Sequence, residues 1–331
     1  MQSNAFRPVS MPNVSKRVTF WAKAATFCLL IGFIFYTLHQ QTVRLTDLRQ
    51  PFLSASWQSG WAIALLLLAP LNWSLEAVKW QWLVRQLAPL NFGQALNGVL
   101  AGLSLGMALP GPVGDTAGRI LSVGAGHRTG AVGASLVAGG MQFYVALLVG
   151  MLAWATYLSN VPARNTLSSS FLLWFLALLI AAGTILNFYR NRFVAWSAQW
   201  PLMSRYVAYW HPIGQYSHAD ITVVFGLALL RHLTFSVQLY AAFRLYGVAL
   251  APWLLAAGVG VIFLVKTIAP AFNWLSDLGV REAAALWVFA PFGLPAPPLL
   301  TATLTLWLVN IGLPVCVGLF SLWRLQVINR T

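Results

Sequence analysis

Leu109-Pro-Gly-Pro-Val-Gly-Asp115-Thr-Ala-Gly-Arg119-Ile-Leu-Ser-Val-Gly-Ala-Gly-His127-Arg128-Thr129 interrupts a chain that is otherwise almost continuously apolar. Two prolines, five glycines, a carboxylate, two arginines and a histidine sit between hydrophobic helices on either side. Irregular backbone cannot face hydrocarbon, because each unpaired N–H or C=O there costs several kcal/mol. The stretch therefore belongs at an interface or in a protein-lined cavity, with Pro110, Gly111 and Gly114 as hinge positions.

The surroundings decide the fold class. The 331 residues are 59% hydrophobic and 8% charged, a composition that fits several apolar spans of about 20 residues each. No polar block is long enough for a second soluble domain of ordinary size. Spans are expected over Val18 to Leu38, Trp61 to Val84, Ala131 to Leu158, Phe171 to Tyr189, Asp220 to Tyr246 and Leu299 to Trp323. A connector over 190–217, rich in Arg, Trp and Tyr, suits an amphipathic segment lying in the headgroups. The predicted organisation is a disordered lead over 1–16, one transmembrane domain over 17–325 and a short tail over 326–331.

A second break echoes the first. Pro270, then Asp277-x-x-x-Arg281, repeats Pro110, then Asp115-x-x-x-Arg119, and each follows an apolar helix: Phe92 to Leu109 and Ala251 to Ile268. Asp and Arg four apart share a helical face. If each break is the tip of a re-entrant hairpin, the chain has about six full spans plus two broken-helix hairpins. Three spans lie between the hairpins, so they enter from opposite faces as an inverted repeat, centred on 92–158 and 250–323, as in many transporters. The alternative is eight or so full spans, since 18 helical residues reach about 27 Å. Most of the 20 Lys and Arg fall on one side when both termini are cytoplasmic, in keeping with the positive-inside rule.

Charge and motifs narrow the chemistry. The net charge of +14 comes from basic residues flanking apolar spans, where anionic headgroups account for them, so nucleic acid is not expected as a partner. His211 and His218 have no nearby cysteine or carboxylate cluster, so no metal is expected. There is no zinc-protease helix, nucleophile elbow or phosphate-binding loop; an enzyme, a cofactor and ATP-driven pumping are not expected. Glu76 and Lys79 read as an interfacial ion pair. Gly98, Gly102 and Gly106 read as a helix-packing ladder. Asp115, Arg119, Asp277 and Arg281 read either as a structural charge lock or, with Glu282, as a polar centre. On the second reading Arg119, Arg128, Lys266 and Arg281, joined by Arg231, outnumber the acids and leave a positive cavity for an anionic headgroup, hinged at Pro110, Gly111, Gly114, Pro270 and Gly279.

At these residues the chain resembles the flippase-like membrane-domain family typified by the membrane half of lysylphosphatidylglycerol synthase. The resemblance rests on Leu75-Glu-Ala-Val-Lys-Trp80, on Leu109-Pro-Gly-Pro-Val-Gly-Asp-Thr-Ala-Gly-Arg119 and on Leu278-Gly-Val-Arg-Glu282. It implies a multi-pass protein of a bacterial inner membrane that moves or binds an anionic phospholipid or lipid-linked intermediate. The alternative expectation is a non-catalytic subunit supporting a partner enzyme of envelope-lipid or glycan assembly, or a homo-oligomer. The sequence holds nothing like the synthase's soluble aminoacyl-transfer domain, so this chain is not expected to make lysyl-lipid itself.

Overall fold

The computed structural model describes residues 45–108, 112–161, 166–268 and 279–328. The expected lead over 1–16, the first span over 18–38, Pro110, Gly111, Pro270, Asp277 and the end of the 326–331 tail lie outside the described residues. Within them every regular element is helical. Five helical stretches are long and apolar enough to cross a membrane: Gly60–Val84, Ala125–Leu158, Ser170–Phe188, His218–Leu245 and Ala296–Leu322.

In chain order, α1 (Leu45–Ser54) leads to α2 (Gly60–Val84), α3 (Phe92–Ala108) and α4 (Pro112–Ile120). A short 3-10 turn then leads into α5 (Arg128–Leu158), followed by α6 (Thr166–Phe188). The connector is three short helices, α7 (Arg190–Ser197), α8 (Pro201–Ser204) and α9 (Val207–Gln215). The rest comprises α10 (His218–Leu245), α11 (Pro252–Ile268), α12 (Val280–Phe289), α13 (Ala296–Trp307) and α14 (Leu313–Ile328).

Local signals set the helix starts. Asn91 and Gln94 cap α3 reciprocally, each backbone N–H meeting the other's side-chain oxygen at 2.9 Å. Ser217 and Asp220 form the same box at the head of α10. The connector is tied at both ends by Arg190, whose guanidinium donates to the carbonyls of Asn187 and Tyr216. Tyr216 in turn donates to the Leu83 carbonyl at 2.7 Å. Burial pushes its phenol above the ordinary tyrosine range, so it remains a donor.

α3 and α4, on either side of residues 109–111, pack as an antiparallel pair. A methyl group at Gly98 would meet Ser122, at Gly102 would meet Asp115, and at Gly118 would strike the backbone of Ala101 and Gly102. The ladder on α3 therefore lets the α4 backbone lie directly on it, as small-residue packing in membranes requires. The nine residues of α4 extend only about 13 Å, too short to cross. Because Ser122 returns to the level of Gly98, the chain leaves the hairpin on the side where α3 begins. This is the re-entrant geometry rather than two full spans.

The second arm repeats the plan. The 17-residue α11 is followed, beyond residues 269–278, by the ten-residue α12, and Gly258 packs on Val288 and Phe289. α5 runs onward from the first hairpin, and α11 lies antiparallel to it, Gly150 against Leu264 and Gly260 against Ala153. α3 and α11 therefore run in opposite directions, giving an inverted pair of arms. Around them α10 lies antiparallel to α2, Gln238 donating to the Leu65 carbonyl at 2.9 Å. α14 lies antiparallel to α3, Ser104 reaching Val315 and Ser321 reaching Asn97. The last span is not a uniform helix: Leu308–Gly312 is a π turn. Pro314 follows it and cannot donate to the Asn310 carbonyl, which loosens the ladder there.

Candidate functional site

Glu76 is the hub of the buried charge. It lies on α2 about 12 Å from the Val84 end, with its side chain only 4% exposed, and three cations converge on it. Lys79, one turn along α2, is 2.8 Å away; Arg231 reaches across from α10 at 3.0 Å; and Arg119 reaches from α4 through Nη1. Arg119 also presents Nε to Asp115, 2.9 Å from each carboxylate oxygen. Gln142 on α5 joins the set, its side-chain oxygen accepting from Arg231 at 3.2 Å and from Lys79 at 3.5 Å. Helices α2, α4, α5 and α10 thus each contribute to one polar centre.

The sequence expectation for Glu76 and Lys79 is corrected in one respect. The pair exists, but it is buried inside the bundle and shared with Arg119 and Arg231, not exposed at the interface. Two residues of like charge brought to the same carboxylate explain the difference, because a single exposed pair needs no such company. Three cations against Glu76 and Asp115 leave one positive charge in a place where charge is costly. The centre is closed below by Trp80, which is fully buried and donates to Ser122 at 3.1 Å. Ser122 donates in turn to the Arg119 carbonyl at 2.6 Å. One turn above Glu76, Asn72 donates to Asn310 of the π turn at 2.8 Å, both buried. Asp115 is the open side: its side chain is 34% exposed.

The other expected site residues lie elsewhere. Arg128 sits at the head of α5 and donates to the Val123 carbonyl. Arg281 and Glu282 are buried at the head of α12, where Glu282 accepts from the Gly279 backbone at 2.6 Å. Gly279 has φ of +97°, a conformation that a side chain would strain. Lys266, near the end of α11, is half-buried and within electrostatic range of His232, which neighbours Arg231. His232 is buried, its ring 5.8 Å from that of Phe263 on α11. Gly114 packs against the backbone of Leu105 and Gly106 inside the hairpin, so its lack of a side chain serves close approach.

Sequence reasoning missed Glu76 as the centre and did not single out Gln142. Glu76 had a usable signal, since an ionisable group well inside an apolar span is a functional candidate by default. Gln142 had none. Among the described residues no group of His, Cys, Asp or Glu is arranged to hold a metal. The arrangement suits recognition of an anion: donors in a fixed fork on Arg119, a surplus positive charge and an opening past Asp115.

Searches of curated proteins and of solved structures return no match. The profile of the lysylphosphatidylglycerol synthase TM region matches residues 20–318, a stretch that contains both hairpin arms and every member of the Glu76 cluster. Covering most of the sequence, that match makes the chain a member of the lysylphosphatidylglycerol synthase TM region family.

Proposed function

We propose that this protein binds the phosphate of an anionic phospholipid or lipid-linked intermediate at the Glu76–Arg119 cluster and carries it across the bilayer without altering it chemically. The observation that carries the reading is the buried cluster with one positive charge left over, open on the Asp115 side. An apolar bundle gains nothing in stability from an unbalanced cation, since a well-packed hydrophobic set would serve at least as well. An anionic ligand supplies the missing charge. The two oppositely directed arms support movement between leaflets, because each begins from a different face. Membership of the family supports a bacterial inner membrane location, and the uneven distribution of basic residues along the chain supports both termini in the cytoplasm.

The test is transport in proteoliposomes containing labelled phosphatidylglycerol. Unmodified protein moves the label between leaflets. Arg119→Ala lowers the rate roughly 10- to 100-fold, the worth of a lost charge-assisted contact. Arg119→Lys keeps the charge without the fork and falls between the two. Unchanged rates in a folded Arg119→Ala protein, or no movement by the unmodified protein with or without a proton gradient, contradict the proposal.

A further inference from the structure

Arg119 is held by two carboxylates that differ in how firmly they are themselves held. Glu76 is buried and shared by Lys79, Arg119 and Arg231. Asp115 is partly exposed, and among the described residues Arg119 is its one ion-pair partner. Its two oxygens face the same Nε of Arg119 at equal distance, an arrangement that two oxygens of a phosphate can reproduce. The space it fills is made by missing side chains: a Cβ on Gly102 would come 2.7 Å from Asp115 Oδ1, and one on Gly106 would come 3.7 Å from Asp115 Cβ. The wall behind the carboxylate is the α3 backbone at Gly102 and Gly106, with the Arg119 side chain beside it.

We infer that Asp115 is the resting occupant of a phosphate seat: the substrate's phosphate replaces the Asp115 carboxylate on Arg119, while Glu76 stays in place and keeps the three cations together. This inference rests on the anionic-lipid reading of the cluster. With Asp115 turned outward, Lys79, Arg119 and Arg231 stand against Glu76 alone, which leaves two positive charges for the incoming anion. Return of Asp115 after translocation restores the resting pairing and helps expel the phosphate. Binding therefore competes with an internal carboxylate, and removal of that competitor tightens binding while slowing release. A merely positioning role for Asp115 predicts the opposite, because Arg119 would lose its orientation along with its partner.

The phosphate's source is separable by experiment. Full-length protein in phosphatidylcholine nanodiscs is titrated with phosphatidylglycerol, and separately with soluble glycerol phosphate, using Asp115→Asn and Asp115→Ser beside the unmodified chain. Asn keeps the size of the side chain, and the smaller Ser guards against an effect peculiar to the amide. Thermal unfolding of each variant checks that the hairpin is intact. Both variants are expected to bind phosphatidylglycerol about tenfold more tightly, the gain from removing one charged competitor, and to move it more slowly. Tightening toward glycerol phosphate instead upholds the exchange and assigns the seat to a free phosphate. Phosphatidylglycerol binding by the unmodified protein with equal or weaker binding by folded variants overturns the exchange and leaves the lipid reading standing. No preference for either anion in any of the three proteins removes both.

Discussion

At the scale of single residues, the cost of the cluster is concentrated in Glu76. Its carboxylate is the shared counter-charge of Lys79, Arg119 and Arg231, so Glu76→Gln leaves two buried cations and the half-buried Arg231 with only Asp115 beside them. Removal of one partner from a buried ion pair costs about 3–5 kcal/mol. The Arg85–Asp220 bridge is a useful contrast, because the arginine side chain is 41% exposed and the buried Asp220 keeps the Ser217 N–H and hydroxyl as donors when Arg85 is lost, so the loss should be about 1 kcal/mol. Thermal unfolding in a single detergent should therefore show a large loss for Glu76→Gln and a small one for Arg85→Ala. Equal losses would mean that the Glu76 end of the cluster is hydrated and not buried as described above. This centre was only half legible in the sequence. Asp115 and Arg119 share a helix turn and can be paired by spacing, and Arg231 stands out as a charge inside an apolar run. Glu76 and Arg119 come from different helices, and no local spacing reports that they meet.

At the scale of elements, the hairpin of α3 and α4 depends on glycines whose neighbours are backbone. A Cβ at Gly118 would collide with Ala101 and Gly102, which no side-chain rotation can relieve. Gly118→Ala should separate the two helices, cost about 1–3 kcal/mol and move Arg119 away from Glu76, so that stability and lipid binding fall together. Gly139 and Gly140 give the opposite expectation. They lie within the continuous α5 helix with open space beside them. Gly139→Ala should raise stability by roughly 0.5–1 kcal/mol in the same unfolding measurement, without effect on transport. A stable, active Gly118→Ala protein would show that the ladder is not the seat of α4. The ladder's spacing was readable from the sequence, because glycines four apart fall on one face. Which of the many glycines had a backbone against it was not, since that depends on the fold of the returning strand of chain.

At the scale of the whole molecule, the span positions, the short return helices and the opposed direction of the two arms follow from hydropathy, proline placement and the repeated Asp-x-x-x-Arg pattern. The π turn in the last span, and the Asn72–Asn310 contact that it presents, had no comparable signature beyond Pro314. In this arrangement α6 and the connector helices carry many exposed apolar and aromatic side chains, among them Trp174, Leu178, Trp196 and Leu202, as surfaces bathed by lipid should. Bulk lipid therefore touches the rim, whereas a recognised substrate must also reach the interior beside α4. Photocrosslinking separates these two kinds of contact. An anionic phospholipid with a photoreactive group next to its phosphate, activated in membranes containing the full chain and mapped by mass spectrometry, should label α4 around Asp115 and the facing part of α2. That label should fall when unlabelled phosphatidylglycerol is added, and should not fall with phosphatidylcholine. Labelling confined to α6 and the connector, with none on α4 or α2, would contradict the claim that the Glu76–Arg119 cluster receives the lipid's phosphate.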